Sequence, residues 1–402
     1  MAIAALLALL ALMAAGGAKA ETGAADAPAE AMDEFQSEER LEEGFITHYI
    51  NKVVEKGMAA VDEAVGVEYG RGITGYVSAP KFGGYFIGKY SYSGQEGKHS
   101  GDGFSQRLIR LYVDGTILRD FAYRIQVQTN NASFHMKDFY VEWQRYKAFR
   151  VKIGQYKRAF GFENPMNPWD VGVGDYSQLT KKMTGHSDYI GAETTSNGGR
   201  DQGLQVQGDL LPVGKDRHSL LHYQLMVANG QGINSADADS RKDFLGTVQV
   251  QPVKGLFLGF FGWTGSYTAG DVTVDRNRYM LSAKYDRDDW TVRAEYAHSS
   301  GHKVSDYARQ ADGTYAVSGE GKADAWYVTV GVPCTPWLKT YVKYDAYRDD
   351  ATWGTAKSIY TVCPNFQLHR NLMFQVQYNY VHDRTLAKSD YSELWLETYV
   401  RF

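Results

Sequence analysis

The chain has 402 residues with 29 Tyr, 42 Gly, nine Pro and two Cys, and its formal net charge is −4. Two cysteines exclude a disulfide scaffold, and no stretch after the N-terminus approaches the roughly 20 apolar residues of a spanning helix, which excludes an α-helical membrane protein. Many aromatic residues with a mean hydropathy of −0.42 are typical of a transmembrane β-barrel, because its lipid-facing residues alternate with polar lumen residues. A large soluble β-sandwich is the alternative.

Residues 1–20 have the pattern of a secretory signal peptide. An apolar run from Ile3 to Ala15 is followed by Gly16 and Gly17 and by the small-residue end Ala18-Lys19-Ala20. No Lys or Arg precedes the apolar run, which favours a start upstream of Met1. We therefore predict that the chain is exported.

Residues 21–66 form an acidic segment with twelve Asp or Glu and three Lys or Arg. Apolar residues such as Leu41, Phe45, Tyr49 and Val53 recur at a spacing of three to four, which predicts an amphipathic helix on the periplasmic side of the membrane. The segment is either a solvated tether or a helix that serves oligomerisation or the pore.

From about residue 81 the pattern changes to strict alternation, as in Arg124-Ile125-Gln126-Val127. The segments are about ten residues or longer, as tilted membrane strands require. Short turns alternate with longer loops between them. We predict that residues 67–402 are an all-β domain, a 16-stranded antiparallel transmembrane β-barrel, preceded by the short N-terminal helical segment. The predicted strands are 81–92, 104–117, 119–129, 137–147, 149–157, 200–210, 217–228, 243–252, 255–266, 274–287, 289–298, 324–333, 337–347, 356–368, 371–382 and 391–402.

The last predicted strand indicates the compartment. Leu394, Leu396, Val400 and the terminal Phe402 share one face of it. A terminal aromatic residue after such alternation resembles the insertion signal of outer-membrane proteins. We expect the barrel to lie in the outer membrane of a Gram-negative cell envelope, surrounded by lipid and lipopolysaccharide.

A barrel of sixteen strands is too wide to be filled by its own side chains, so conduction through a water-filled pore is the expected function. The third external loop, residues 158–199, is the longest connection. Loops of this length in compact proteins are usually functional. We predict that it folds into the lumen and constricts the pore; a mobile surface loop is the alternative.

Basic charge is concentrated beside this loop, because residues 105–182 contain thirteen Lys or Arg and seven Asp or Glu. Rings of Lys or Arg in a pore favour anions. Alternation with the apolar neighbours predicts that the side chains of Arg110, Arg124, Arg150 and Lys152 point into the lumen. The alternative for cations near strand ends, such as Arg107, is contact with lipid head groups or lipopolysaccharide phosphates. The candidate pore-lining, anion-binding residues are Arg107, Arg110, Arg124, Arg150, Lys152, Lys157, Arg158, Lys181 and Lys182.

Other chemistry has little support in the sequence. No catalytic constellation, phosphate-cradling loop or metal-binding motif is found, so we expect no enzyme activity, no metal, no cofactor and no nucleic-acid partner. His298 and His302 are read as residues of a polar loop. Cys334 and Cys363 leave a disulfide open, since the compartment permits it but the spacing does not establish it. The function classes are an anion-preferring porin, a general non-selective diffusion porin, and a barrel adhesin or enzyme.

Four segments, 82–88, 104–115, 137–143 and 151–160, resemble the phosphate-selective porin O and P family. The resemblance extends from about residue 80 to the C-terminus and implies a homotrimeric 16-stranded porin with arginines at a constriction, lysines along the path, and phosphate or polyphosphate among its solutes. One position departs from the family pattern of Arg-Arg, a small residue and Arg. Arg107 and Arg110 match it, but Leu108 occupies the second place, which puts phosphate selectivity in doubt.

Overall fold

A computed structural model describes residues 67–68, 72–73, 78–97, 102–118, 120–130, 133–188, 190–191, 198–270, 272–302 and 320–402. The predicted signal peptide (1–20) and the predicted acidic helix (21–66) lie outside the described residues. The chain divides into two units. In the first, β1 (Val67–Glu68) pairs with β2 (Gly72–Ile73) in a short antiparallel ladder.

The second unit is a closed barrel of sixteen strands, which confirms the predicted fold class. The described strand pairs are all antiparallel, and the ends of most strands lie within three residues of the predicted ones. The strands are β3 (Lys81–Ser93), β4 (Gly103–Ile117), β5 (Phe121–Asn130), β6 (Ser133–Tyr146), β7 (Phe149–Lys157), β8 (Arg200–Val213), β9 (His218–Ala228), β10 (Asp243–Val253), β11 (Leu256–Ala269), β12 (Val272–Arg287), β13 (Trp290–His302), β14 (Glu320–Thr335), β15 (Leu338–Asp349), β16 (Ala356–His369), β17 (Leu372–Asp383) and β18 (Asp390–Arg401).

The barrel closes between its last and first strands. β18 pairs with β3, so that Thr398 lies opposite Gly88. At the end of the ladder the N–H of Gly84 donates to the carbonyl of Phe402 (2.9 Å), and the N–H of Phe402 donates to that of Gly84 (3.0 Å). Closure matters in a membrane because an open strand edge would leave backbone groups without hydrogen-bond partners in hydrocarbon.

The two faces of the barrel differ as the alternation predicts. Phe139 and Ile153 project outward and are more than half exposed. On β17 the inward residues Gln375, Gln377 and Asn379 are buried and hydrogen-bonded. An apolar outer wall around a polar interior is the arrangement of a transmembrane barrel.

Two of the register shifts in the first strands break the alternation beside predicted or buried cations. In the β3–β4 ladder Gly88 pairs with Gln106 and Ile87 with Leu108, so Arg107 is the extra residue. In the β5–β6 ladder the register shifts at Gln126, which lies opposite the two residues Lys137 and Asp138. A bulge places two consecutive side chains on one face, and Lys137 and Asp138 are both buried inside the barrel.

Connections at one end of the barrel are short turns, and most at the other end are longer. The third connection at the end with the longer loops, residues 158–199, contains a short helix, α1 (Gln178–Met183). The connection between β15 and β16 contains a 3₁₀ turn at Trp353–Thr355. None of the described helices has the length and apolar character to cross a membrane. Cys334 is exposed and Cys363 is buried, and both thiols are free.

Candidate functional site

The described parts of the third loop, residues 158–199, lie against inward-facing side chains of the later strands. The backbone N–H groups of Phe162 and Glu163 donate to the carboxylate of Glu295 on β13, at 2.8 and 2.9 Å. The N–H of Gly174 donates to Gln377 on β17 (2.6 Å). The loop backbone therefore contacts wall strands that follow it by more than a hundred residues.

Carbonyl groups of the same loop are bound by donors from the wall. Asn365 and Gln375 both donate to the carbonyl of Gly172, at 2.9 and 3.0 Å. Arg293 donates to the carbonyl of Val171. Gly172 has a φ of +89°, and a Cβ there would collide with the ring of Tyr341, so both its backbone conformation and its surroundings require glycine. Many polar backbone groups of the loop are thus satisfied inside the barrel, as burial demands.

Apolar packing fixes the loop at a second place. Trp169 packs edge-on against Tyr399 of β18, with ring centres 5.6 Å apart. Leu108 and Tyr85 belong to the same buried apolar cluster. Leu108, which departs from the family pattern, therefore lies in the lumen wall beneath the third loop.

Three arginines surround the ring of Trp263 on β11. The guanidinium carbons of Arg158, Arg276 and Arg278 lie 4.8, 4.7 and 4.2 Å from its centre. Each forms an ion pair, and Arg158 pairs with Asp201 at 2.6 Å. We expected Arg158 to line the pore. Arg158 is fully buried and ion-paired with Asp201, and its place in the pore lining stays a prediction.

Three of the predicted pore-lining cations point inward and are paired with a carboxylate. Arg124 bonds to Asp114 through both ends of its guanidinium, at 2.7 Å each. The other two pairs are Arg150 with Asp209 (2.6 Å) and Lys152 with Glu142 (3.1 Å). Their net contribution to the charge of the lumen is therefore small.

A second group of predicted cations gathers around Asp175 in the third loop. Arg107 bonds to Glu397 at 3.1 Å and lies 3.6 Å from Asp175. Lys181 pairs with Asp175, and Lys182 lies 4.8 Å from the centre of the Tyr347 ring. Burial raises the pKa of Asp175, but Lys181 and Arg107 outweigh it and hold the pKa well below its usual range. Asp175 is therefore ionised and neutralises part of this basic charge.

The remaining predicted residues, Arg110 and Lys157, belong to a denser group. We call Arg110, Lys137, Lys157 and Arg200 the basic cluster. Among the described residues, the carboxylate that hydrogen-bonds to the cluster is Asp138, which Arg200 contacts at 2.8 and 3.0 Å.

The other contacts of the basic cluster are with neutral groups. Arg110 donates to the side-chain oxygen of Gln128 at 2.6 and 3.1 Å. Lys157 donates to the carbonyls of Asn164 and Met166 and to the hydroxyl of Tyr176 (2.6, 2.5 and 3.0 Å). Four cations therefore share one bonded carboxylate at the point where the third loop leaves β7 and returns to β8.

His186 and Tyr176 extend this group from the third loop. His186 Nε2 lies 3.0 Å from Asn164 Oδ1. Burial, reinforced by Lys157 and Arg200, lowers the pKa of His186 well below its usual value, so the ring is neutral near pH 7 and its Nε2–H donates to Asn164. Burial raises the pKa of Tyr176, although the charge of Arg110 opposes this rise. Neither residue supplies a negative charge to offset the basic cluster.

Sequence reasoning missed two members of the cluster as site residues. Alternation with the outward Phe139 places Lys137 on the lipid face, and no local signal reveals the bulge that turns it inward. Arg200 begins β8, outside the basic stretch of residues 105–182, so a longer window for counting charge would have included it. Within the described part of the chain no group of three His, Cys, Asp or Glu side chains is arranged to hold a metal ion.

Several solved structures share the fold of this barrel. The anion-selective porin from Comamonas acidovorans superposes with a TM-score of 0.59 at 12% identity, covering 81% of this chain and 100% of that one. Vibrio cholerae OmpT in a trimer form gives 0.53 at 11% identity (82% and 100% covered), and Salmonella typhi OmpF with daunomycin gives 0.55 at 11% (80% and 97%). At such identities the likeness is one of fold. No curated protein matches the chain in sequence.

The closed sixteen-stranded barrel with a polar interior is the fold of these outer-membrane porins. The sequence model of the family described as phosphate-selective porin O and P matches residues 83–255. This match confirms the resemblance to that family and contains all nine predicted site residues. It ends at residue 255, whereas we expected the resemblance to continue to the C-terminus.

Proposed function

We propose that the protein is a porin through which small anions diffuse passively, past a constriction formed by the third loop. The observation that carries this proposal is the basic cluster, in which Arg110, Lys137, Lys157 and Arg200 share one bonded carboxylate, Asp138. Charge in a low-dielectric wall acts on ions in the adjacent passage, attracting those of opposite sign. The anion-selective porin named above and the family's description support the same reading.

A general diffusion porin with little selectivity is the second candidate. It is favoured by the pairing of Arg124, Arg150 and Lys152 with carboxylates, since a paired cation adds little net field. Phosphate or polyphosphate as solute is a narrower proposal. Leu108 counts against it, because this residue lies in an apolar cluster where the family pattern has an arginine.

The remaining features of the proposal concern the cell envelope. We infer export by the signal peptide at residues 1–20 and a barrel domain of residues 67–402. We also infer assembly as a homotrimer, for which the trimer form of Vibrio cholerae OmpT is a structural precedent. Lipid and lipopolysaccharide would cover the outward aromatic and aliphatic side chains.

The decisive experiment is the reversal potential in a planar bilayer under a salt gradient. A reversal potential of anion-selective sign supports the proposal, and a value near zero supports the general diffusion porin. A potential of cation-selective sign rejects both candidates. Lys137→Gln should shift the potential toward cations. The matched control is Lys254→Gln, because Lys254 is 68% exposed in a short turn and pairs with Asp216, so its removal should leave the potential unchanged. Current blockade by phosphate at millimolar concentration, absent with equal sulfate, would establish phosphate specifically.

A further inference from the structure

We propose that the basic cluster retains one small inorganic anion, chloride in ordinary buffers, in an occluded position behind the passage. This inference rests on the proposed function, because both assign a role to the same cations. It concerns a bound ion that belongs to the folded structure, whereas the proposed function concerns ions that pass through the pore.

The charge of the cluster is buried, and buried charge is costly. Arg110, Lys137 and Arg200 have exposed fractions of 4%, 8% and 2%, and Asp138 is similarly buried. Burying an uncompensated cation costs several kcal/mol, and one carboxylate cannot compensate several guanidinium and ammonium groups. Arginine does not release its proton in proteins. A counter-ion is therefore the simplest way to balance the excess.

Two buried hydrogen-bond donors of the described residues face the same region. Arg110 Nη1 and the hydroxyl of Tyr85 are buried, and neither has a hydrogen-bond partner among the described residues. The guanidinium of Arg110 lies 5.5 Å from the centre of the Tyr85 ring, so the two groups are neighbours. Buried donors without partners usually mark an unseen water or ion. A water would satisfy the donors but would leave the charge in excess.

Gly198, which has a φ of +59°, lies beside two of these cations. A Cβ on Gly198 would lie 3.2 Å from Arg200 Nη1 and 3.7 Å from Lys137 Nζ. Two cationic donors thus approach the same point, and the absence of a side chain on Gly198 keeps that point open. A small anion, which needs several convergent donors and little space, suits this geometry.

The cations around the proposed ion are less exposed to solvent than the cations that permeating ions would meet. The side chains of Arg124 and Arg150 are 30% and 25% exposed and can meet ions in the passage. Arg110, Lys137 and Arg200, the cations nearest the proposed ion, are less than a tenth exposed. Lys157, a member of the cluster, also holds the third loop through its bonds to Asn164 and Tyr176. The bound anion therefore stabilises the loop, and its removal destabilises the folded protein by linkage.

Bromide is the probe for this site, because it resembles chloride and scatters anomalously. Crystals of the full porin grown in bromide should show an anomalous peak in contact with Arg110 and Lys137. In solution, the melting temperature of the detergent-solubilised porin should be lower in gluconate, which is too large for the site, than in chloride or bromide at equal ionic strength. Absence of the peak together with identical melting temperatures in all three anions overturns the proposal.

Lys137→Met should abolish both the peak and the dependence on the anion, whereas Lys254→Met should retain both. If Lys137→Met does not fold, the wild-type bromide and melting data decide by themselves. The reversal potential distinguishes this inference from the proposed function. An anion-selective pore without a bromide peak rejects the bound ion alone, and a bromide peak in a non-selective pore rejects the proposed selectivity alone.

Discussion

The carboxylate of Glu295 accepts a hydrogen bond from the backbone N–H of Phe162 at 2.8 Å, which joins the wall of the barrel to the first turn of the third loop. The same carboxylate accepts hydrogen bonds from the N–H of Glu163 and from the hydroxyls of Ser282 and Tyr327. Four donors thus converge on one buried side chain. A carboxylate suits this position because it has only acceptors.

Glu295→Gln should loosen the third loop. The amide presents N–H donors to groups that are themselves donors, so at least one charged hydrogen bond is lost, at a cost of about 2 kcal/mol. We expect a larger single-channel conductance and a weaker ion preference. Glu393→Gln is the control, because Glu393 also faces the lumen and is only partly buried. An unchanged conductance in Glu295→Gln would show that the loop does not depend on this residue.

Leu108→Ala should destabilise the barrel through the cluster beneath Trp169. Leu108 is 5% exposed, and truncation of a buried leucine leaves a cavity that costs about 3 kcal/mol. The loss is measurable as a lower denaturant midpoint for unfolding in detergent. Leu111→Ala on the same strand is the comparison, because Leu111 projects outward and is 45% exposed. Equal losses in the two variants would contradict the placement of Leu108 in the cluster.

Acid should destabilise the protein partly through His186. Its pKa in the folded protein lies well below the usual value, so the unfolded chain takes up a proton first as pH falls below about 6.5. Stability is therefore greatest above that pH and decreases below it, by at most about 1.4 kcal/mol per pH unit from this one group. His186→Gln cannot take up this proton and should flatten the decrease between pH 7 and pH 5. Melting temperatures across that range test the expectation, and parallel curves for both proteins would refute it.

The two cysteines should differ in reactivity. Cys334 is exposed and Cys363 is buried, and both are free thiols. Maleimide should label one thiol in the folded porin and two after unfolding. Cys334→Ser should remove the label from the folded protein, whereas Cys363→Ser should leave it in place. Absence of labelling in the unfolded, unreduced protein would instead indicate a disulfide.

The sequence alone determined the barrel. Alternation is a local property that repeats in every strand, so residues such as Ile125 and Phe139 reveal which face meets lipid without knowledge of their neighbours in space. The number of strands and the alternation of turn and loop lengths follow from the same pattern. The inward direction of Arg110, Arg124, Arg150 and Lys152 was predictable for this reason.

Only the tertiary structure decided what these cations do, because their partners come from distant parts of the chain. Arg107 bonds to Glu397, 290 residues away, and a bulge in β6 turns Lys137 inward against the alternation. Arg124 and Arg150 each form a neutral pair with a carboxylate, and Arg158 is buried against Asp201. The positive excess therefore lies in the basic cluster. A count of charges along the chain locates basic residues, but the electric field depends on the charges that remain uncompensated after folding.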